Sequence, residues 1–141
     1  MAEQEFKVAV LGCSGIGRLI STVVRQAVYL IERDRPEQVV VVASGALTGD
    51  VPEALGVVGR YPLVVIDGCR PHCATAIAEG KNLQVAATVY AADVIARRKL
   101  SLVGERREEL GEKGRAVARA IADEAIEKID WLIADEMVST L

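Results

Sequence analysis

Three short runs in this chain are largely apolar and β-branched, and each stops abruptly at small or acidic residues. They are residues 5–11 (EFKVAVL, ending at Gly12), 39–43 (VVVVA, ending at Ser44-Gly45) and 63–66 (LVVI, ending at Asp67-Gly68). None alternates between apolar and polar positions. A strand covered on one face alternates with a period of two. A strand covered on both faces does not, which points to a parallel sheet sandwiched between helices. A fourth, weaker run occupies residues 83–90 (LQVAATVY).

The segments between these runs carry helical spacing. In residues 18–33, Leu19, Ile20, Val23, Val24, Ala27, Leu30 and Ile31 recur at intervals of three and four, and Pro36 follows as a terminator. Residues 52–58 open on Pro52, which suits a first helical turn. Residues 71–79 form another short helix, with Gly80 as its expected C-terminal cap. Strands alternating with helices predict an α/β fold: a small doubly wound, mostly parallel sheet of order 2-1-3-4, with right-handed crossovers. The last part predicts one long amphipathic helix over residues 105–137. Val117, Ile121, Ala125, Ile129, Leu132 and Ile133 form its apolar stripe, with possible breaks at Gly111 and Gly114. The stripe suits packing on the sheet or a homodimer seam, with Trp131 at its edge. The whole of residues 1–141 reads as a single domain, with a core over 5–100 and the helix appended.

Composition narrows the function classes. A chain that is 51% hydrophobic, with 17 basic and 20 acidic residues, is too apolar for disorder. Its net charge of −3 argues against a broad phosphate-binding surface, so no nucleic-acid partner is expected. The longest uncharged stretch, residues 38–49, falls well short of the ~20 residues of a membrane span. The acidic start, MAEQEFK, does not resemble a secretory signal, and a cytoplasmic location is expected. In such a reducing compartment three cysteines are not structural disulfides.

All three cysteines fall at the ends of runs. Cys13 follows the first run in Gly-Cys-Ser-Gly-Ile-Gly, and Cys69 and Cys73 follow the third in Asp-Gly-Cys-Arg-Pro-His-Cys. With order 2-1-3-4, strands 1 and 3 are neighbours and the winding reverses between them. Ligands bind at that crevice, outside the carboxyl ends of the strands. The three thiols are therefore expected to meet there. Crowded thiolates suit Zn²⁺, Cu(I) or an iron–sulfur centre. They equally suit a thiol-based redox or sulfur-transfer enzyme with Cys69 and Cys73 as the working pair. Inert thiols are the third reading.

His72, Ser44 and Asp67 are candidates for a fourth ligand or for the groups that support the ligands. Asp67 is also read as a cap for the helix that follows, and His72 as an exposed or proton-shuttling residue. Gly12, Gly15 and Gly17 make a tight turn that matches neither common nucleotide-binding spacing. Arg97-Arg98-Lys99 reads as a solvated helix end rather than an anion site.

The pair Cys13-Ser14-Gly15 and Asp67-Gly68-Cys69-x-x-x-Cys73-Ala74 resembles the motifs of the DGC-domain family, over about residues 6–100. The resemblance implies a zinc-binding protein whose metal is held by four chelating cysteines. Cys13, Cys69 and Cys73 take three of those positions. At the fourth, near the end of the second strand, this chain reads Val42-Ala43-Ser44-Gly45. The resemblance thus implies a three-sulfur site with an exchangeable fourth ligand, or a weakened one.

Overall fold

A computed structural model describes residues 6–13, 15 and 17–141. Glu5, the expected start of the first strand, and Ser14 of the Cys-Ser-Gly motif lie outside the described residues. The sheet has four parallel strands in the order β2-β1-β3-β4, as the alternation of elements predicts. The strands are β1 (Val8–Gly12), β2 (Val39–Val42), β3 (Leu63–Asp67) and β4 (Val85–Tyr90).

The non-alternating runs are explained in β1 and β3. Val8, Val10, Val64 and Ile66 bury one face, while Ala9, Leu11, Leu63 and Val65 bury the other. The outer strands are only partly covered, and Ala86 and Thr88 of β4 are exposed. Helices α1 (Leu19–Asp34) and α6 (Glu112–Ser139) cover the first face, joined by Val94 of α5 (Ala91–Arg97). Leu47 of α2 (Ser44–Thr48), Ala54 of α3 (Pro52–Arg60), and Ala74 and Ala78 of α4 (Cys73–Gly80) cover the second.

Several local expectations change. Helices α2 and α5 carry too few residues for a periodic signal to stand out, and periodicity misses both. Helix α4 starts at Cys73 rather than residue 71, because His72 takes a left-handed backbone (φ 51°). Gly80 is the last residue of that helix rather than a cap beyond it, and Asn82 supplies the positive φ (58°).

The final helix begins at Glu112, not 105. Residues 105–111 instead form a turn in which the Glu105 carboxylate accepts a hydrogen bond from the Gly111 amide at 2.6 Å. Gly114 lies inside α6, yet a Cβ there would meet Glu105 Oε1 and, at 2.9 Å, Leu110 Cδ2. The glycine therefore serves close packing of the turn against the helix rather than a break. Val117, Ile121, Ala125 and Ile129 are buried as the stripe predicts, while Leu132 and Ile133 are partly buried. Trp131 is 64% exposed.

Ion pairs fasten α6 to its neighbours. Arg35 holds Asp130 through two hydrogen bonds of 3.0 and 2.9 Å, and Arg119 reaches Asp34 at 2.7 Å. Two members of the basic cluster, Arg97 and Arg98, clasp Glu124 on α6. The Arg97 hydrogen bond, and then that of Arg98, holds the Glu124 carboxyl below its usual value of 4.5, against the opposing effect of burial. A carboxylate with a lowered folded pKa contributes stability above the unfolded value and loses it as pH falls through the folded one. Glu124→Gln is therefore expected to lower unfolding free energy by roughly 0.5–1 kcal/mol at pH 7. The deficit should close as the pH is taken below the lowered folded pKa, where wild-type Glu124 is itself neutral. Urea unfolding of both proteins at several pH values checks this, and a pH-independent difference would contradict it.

Candidate functional site

The carboxyl ends of β1 and β3 open into a cleft of about 430 Å³. Cys13, Cys69 and Cys73 all line it, together with Ser44, the first residue of α2. Residues separated by up to 60 positions in sequence meet because β1 and β3 are hydrogen-bonded neighbours and the Cys13 amide continues their ladder, donating to the Ile66 carbonyl at 3.0 Å.

Two glycines let α1 pack closely over the strand ends that carry Cys13 and Cys69. Gly12 and Gly68 each precede a cysteine at a strand end. A Cβ on Gly12 would come within 2.7 Å of Val28 Cγ2, and one on Gly68 within 3.2 Å of Ile20 and Val24. Helix α1 thus rests directly on the rim of the sheet.

The three thiols differ in environment. Cys13 is buried on the cleft floor, with its Sγ 3.4 Å from Ser21 Oγ in hydrogen-bond contact. Cys69 is half-buried and Cys73 is exposed at the first position of α4. Burial pushes the Cys69 thiol up. Negative charge on Cys13, and to a lesser extent on Cys73 and Asp67, adds to the rise, while Arg18 opposes it.

Asp67 takes the capping role. It is fully buried, and its Oδ1 accepts hydrogen bonds from the amides of Ala74 (3.0 Å) and Thr75 (3.2 Å). Its Oδ2 accepts from the Thr75 hydroxyl and lies 3.3 Å from His72 Nδ1. The carboxylate thus satisfies the open amides of the first turn of α4 and holds the loop that carries Cys69 and Cys73. His72 does not line the cleft. Its ring pairs with Asp67 and packs against Tyr90, ring centroids 4.5 Å apart.

Among the described residues, no three His, Cys, Asp or Glu side chains are already drawn together around one point as a metal sphere requires. Among the described residues, the sulfur and hydroxyl groups that line the cleft are those of Cys13, Cys69, Cys73, Ser21 and Ser44, with neither Asp67 nor His72 among the lining residues.

Sequence reasoning does not identify Ser21, which is 2% exposed and touches Cys13. Its signal is a lone hydroxyl on the otherwise apolar buried face of α1. The segment after α5 is also missed. The Arg107 guanidinium donates to the Gly17 carbonyl at 2.9 Å, and the Thr22 hydroxyl donates to the Arg107 carbonyl at 3.0 Å. These bonds fasten a residue 90 positions away onto the glycine turn beside Cys13, a contact with no local signature.

No helix among the described residues is long and apolar enough to cross a membrane. No curated protein and no solved structure matches the chain. A family model, the DGC domain, does match, over residues 9–121. It spans all four strands and the cleft, and it extends into the first part of α6, past the residues that carry the motifs. With its Asp-Gly-Cys at the end of β3 and this match over most of its length, the chain belongs to the DGC-domain family.

Proposed function

We propose that the cleft at the ends of β1 and β3 is a thiolate site for a soft metal ion, zinc foremost, and that the protein is a metal-binding or sensing module. One observation carries this reading: Cys13, Cys69 and Cys73, from two separate strand ends, line the same cleft. Three thiols are a donor set that zinc accepts, with a position left for a further ligand. Cys13 is anchored on the floor, whereas Cys69 and Cys73 are accessible enough to swing toward an ion placed on it. Asp67 holds the backbone of their loop and supports the ligands from behind. A cation bound among the three sulfurs would favour their thiolate forms.

The second reading is a thiol redox or sulfur-transfer enzyme using the same cysteines. It is favoured by one observation, that all three cysteines are free and are not gathered around a point.

Elemental analysis and thiol titration separate the two. Protein purified without chelator is expected to hold near-stoichiometric metal, with its thiols slow to react until a chelator is added. Less than about 0.2 equivalents, unchanged after incubation with zinc and with all thiols freely titratable, overturns the metal reading. A Cys69–Cys73 disulfide or persulfide forming readily in that metal-free protein supports the enzyme.

A further inference from the structure

On one side the sheet ends at β2, four consecutive valines. Among the described residues β2 pairs with β1 alone, in parallel register. In such a ladder the groups that face the neighbour come from alternate residues. The Val8 amide donates to the Gln38 carbonyl at 2.9 Å, so Gln38, Val40 and Val42 face β1. The amides and carbonyls of Val39 and Val41 therefore face outward. Natural proteins blunt an open edge with a charge, a proline or a bulge, and β2 carries none of these.

Apolar surface flanks this edge on both faces of the sheet. A groove of about 280 Å³ on the α1 side is lined in part by Val28, Tyr29 and Val41, and one of about 220 Å³ on the α3 side in part by Val41, Val51 and Val57. Tyr29 is 55% exposed, Val51 42% and Val41 36%. The charges beside the edge have an order. One flank of α1 meets α6, where Asp34 pairs with Arg119. On the other flank Arg25 and Tyr29 line the groove beside β2. Glu32 is exposed and follows Arg25 by seven residues and Tyr29 by three, so it shares that flank. The flank thus runs from a cation through an aromatic ring to an anion, and it is complementary to its own reverse.

We propose that β2 is the seam of a homodimer, paired antiparallel with β2 of a second copy. The twofold axis passes through Val40 and stands perpendicular to the sheet. Val39 of each copy then lies opposite Val41 of the other and exchanges both backbone hydrogen bonds with it. The two sheets become one continuous sheet. The same axis sets the two α1 helices side by side and reversed. Arg25 of each copy meets Glu32 of the other, and the two Tyr29 rings cover the grooves between them. A second copy is the occupant because each contact the edge offers, backbone, apolar and ionic, is met by the same surface turned around. The stripe of α6 takes no part, since Val117, Ile121, Ala125 and Ile129 are already buried within one chain.

Sedimentation equilibrium of the full chain is expected to show twice the chain mass at micromolar concentration. Val41→Lys puts a charge on the open edge and should return a monomer with unchanged far-UV circular dichroism, because Val41 already meets solvent. Arg25→Glu and Glu32→Arg each set like charges against one another across the seam, and each should weaken dimerisation about tenfold. Mixed in equal amounts, the two single variants meet each other through opposite charges alone, and wild-type affinity should return. A loss caused by misfolding would not recover on mixing. A wild-type chain that stays monomeric at about 100 μM, a binding free energy weaker than roughly 5 kcal/mol, overturns the inference. So does a dimer indifferent to Val41→Lys, and so do charge reversals that have no effect or that mixing does not restore.

Discussion

Asp67→Ala is expected to destabilise the protein by about 2–4 kcal/mol, measured by urea unfolding. The side chain is fully buried and accepts hydrogen bonds from two amides of α4 and from the Thr75 hydroxyl, with His72 alongside. Alanine leaves those donors beside a small void, and each unsatisfied buried donor costs about 1–3 kcal/mol. Relaxation of the short α4 toward water recovers part of that sum, which keeps the net loss in the lower range. Asp67→Asn keeps one carbonyl acceptor and should cost about half as much. The functional consequence follows from position. Cys73 is the first residue of α4 and Cys69 lies in the turn before it, so the loosened loop should expose both thiols to faster alkylation while Cys13, on β1, changes little. A loss below about 1 kcal/mol, or uniform acceleration at all three thiols, would show that Asp67 does not organise this loop.

On the proposed metal reading, Cys13→Ser is expected to lower metal affinity more than about 100-fold, beyond the 10–100-fold that losing an outer supporting partner costs. Cys73→Ser should cost less. Both remove a thiolate, but water can take the place of the exposed Cys73, whereas Cys13 sits on the buried floor against Ser21. A serine hydroxyl there is a poor donor to a soft ion and blocks water from replacing it. Competition with a chromophoric chelator gives the ratio directly. Equal losses for the two variants would contradict the floor-and-rim arrangement of the site, and no loss in either would remove Cys13 and Cys73 from it.

Much of the architecture is legible residue by residue. The unalternating runs around Val10 and Val64 require cover on both faces, and only a parallel sheet between helices provides it. Right-handed crossovers limit the possible strand orders, and the order 2-1-3-4 preferred among them brings Cys13 to the same rim as Cys69 and Cys73. That Asp67 serves the amides of α4 is also readable, because a carboxylate in the turn leading into a helix has a common use, although it reaches them from six residues before the first helical residue, Cys73.

The illegible parts share a physical cause: they depend on contacts between distant segments. Glu105 reads as the acidic first turn of the last helix. In the folded chain its carboxylate bonds the Gly111 amide, and the helix starts later. His72 reads as a ligand candidate by its place between two cysteines. Its left-handed backbone and its packing on Tyr90 keep it out of the cleft. Arg107 gives no sign in sequence that it reaches Gly17.

Patterning along the chain was enough for a parallel sheet between helices and for the strand ends at which the thiols lie, because hydrophobic periodicity and crossover handedness are properties of local sequence and chain chirality; among the strand orders these allow, 2-1-3-4 was a preference that the folded sheet shows. Which polar groups around that rim engage one another, and where, is a different matter. Asp67 and His72 satisfy each other and α4 behind the cleft, while Ser21 touches Cys13 within it. That division is set by side-chain geometry between segments that touch only once the sheet has formed, and no reading of neighbours along the chain contains it.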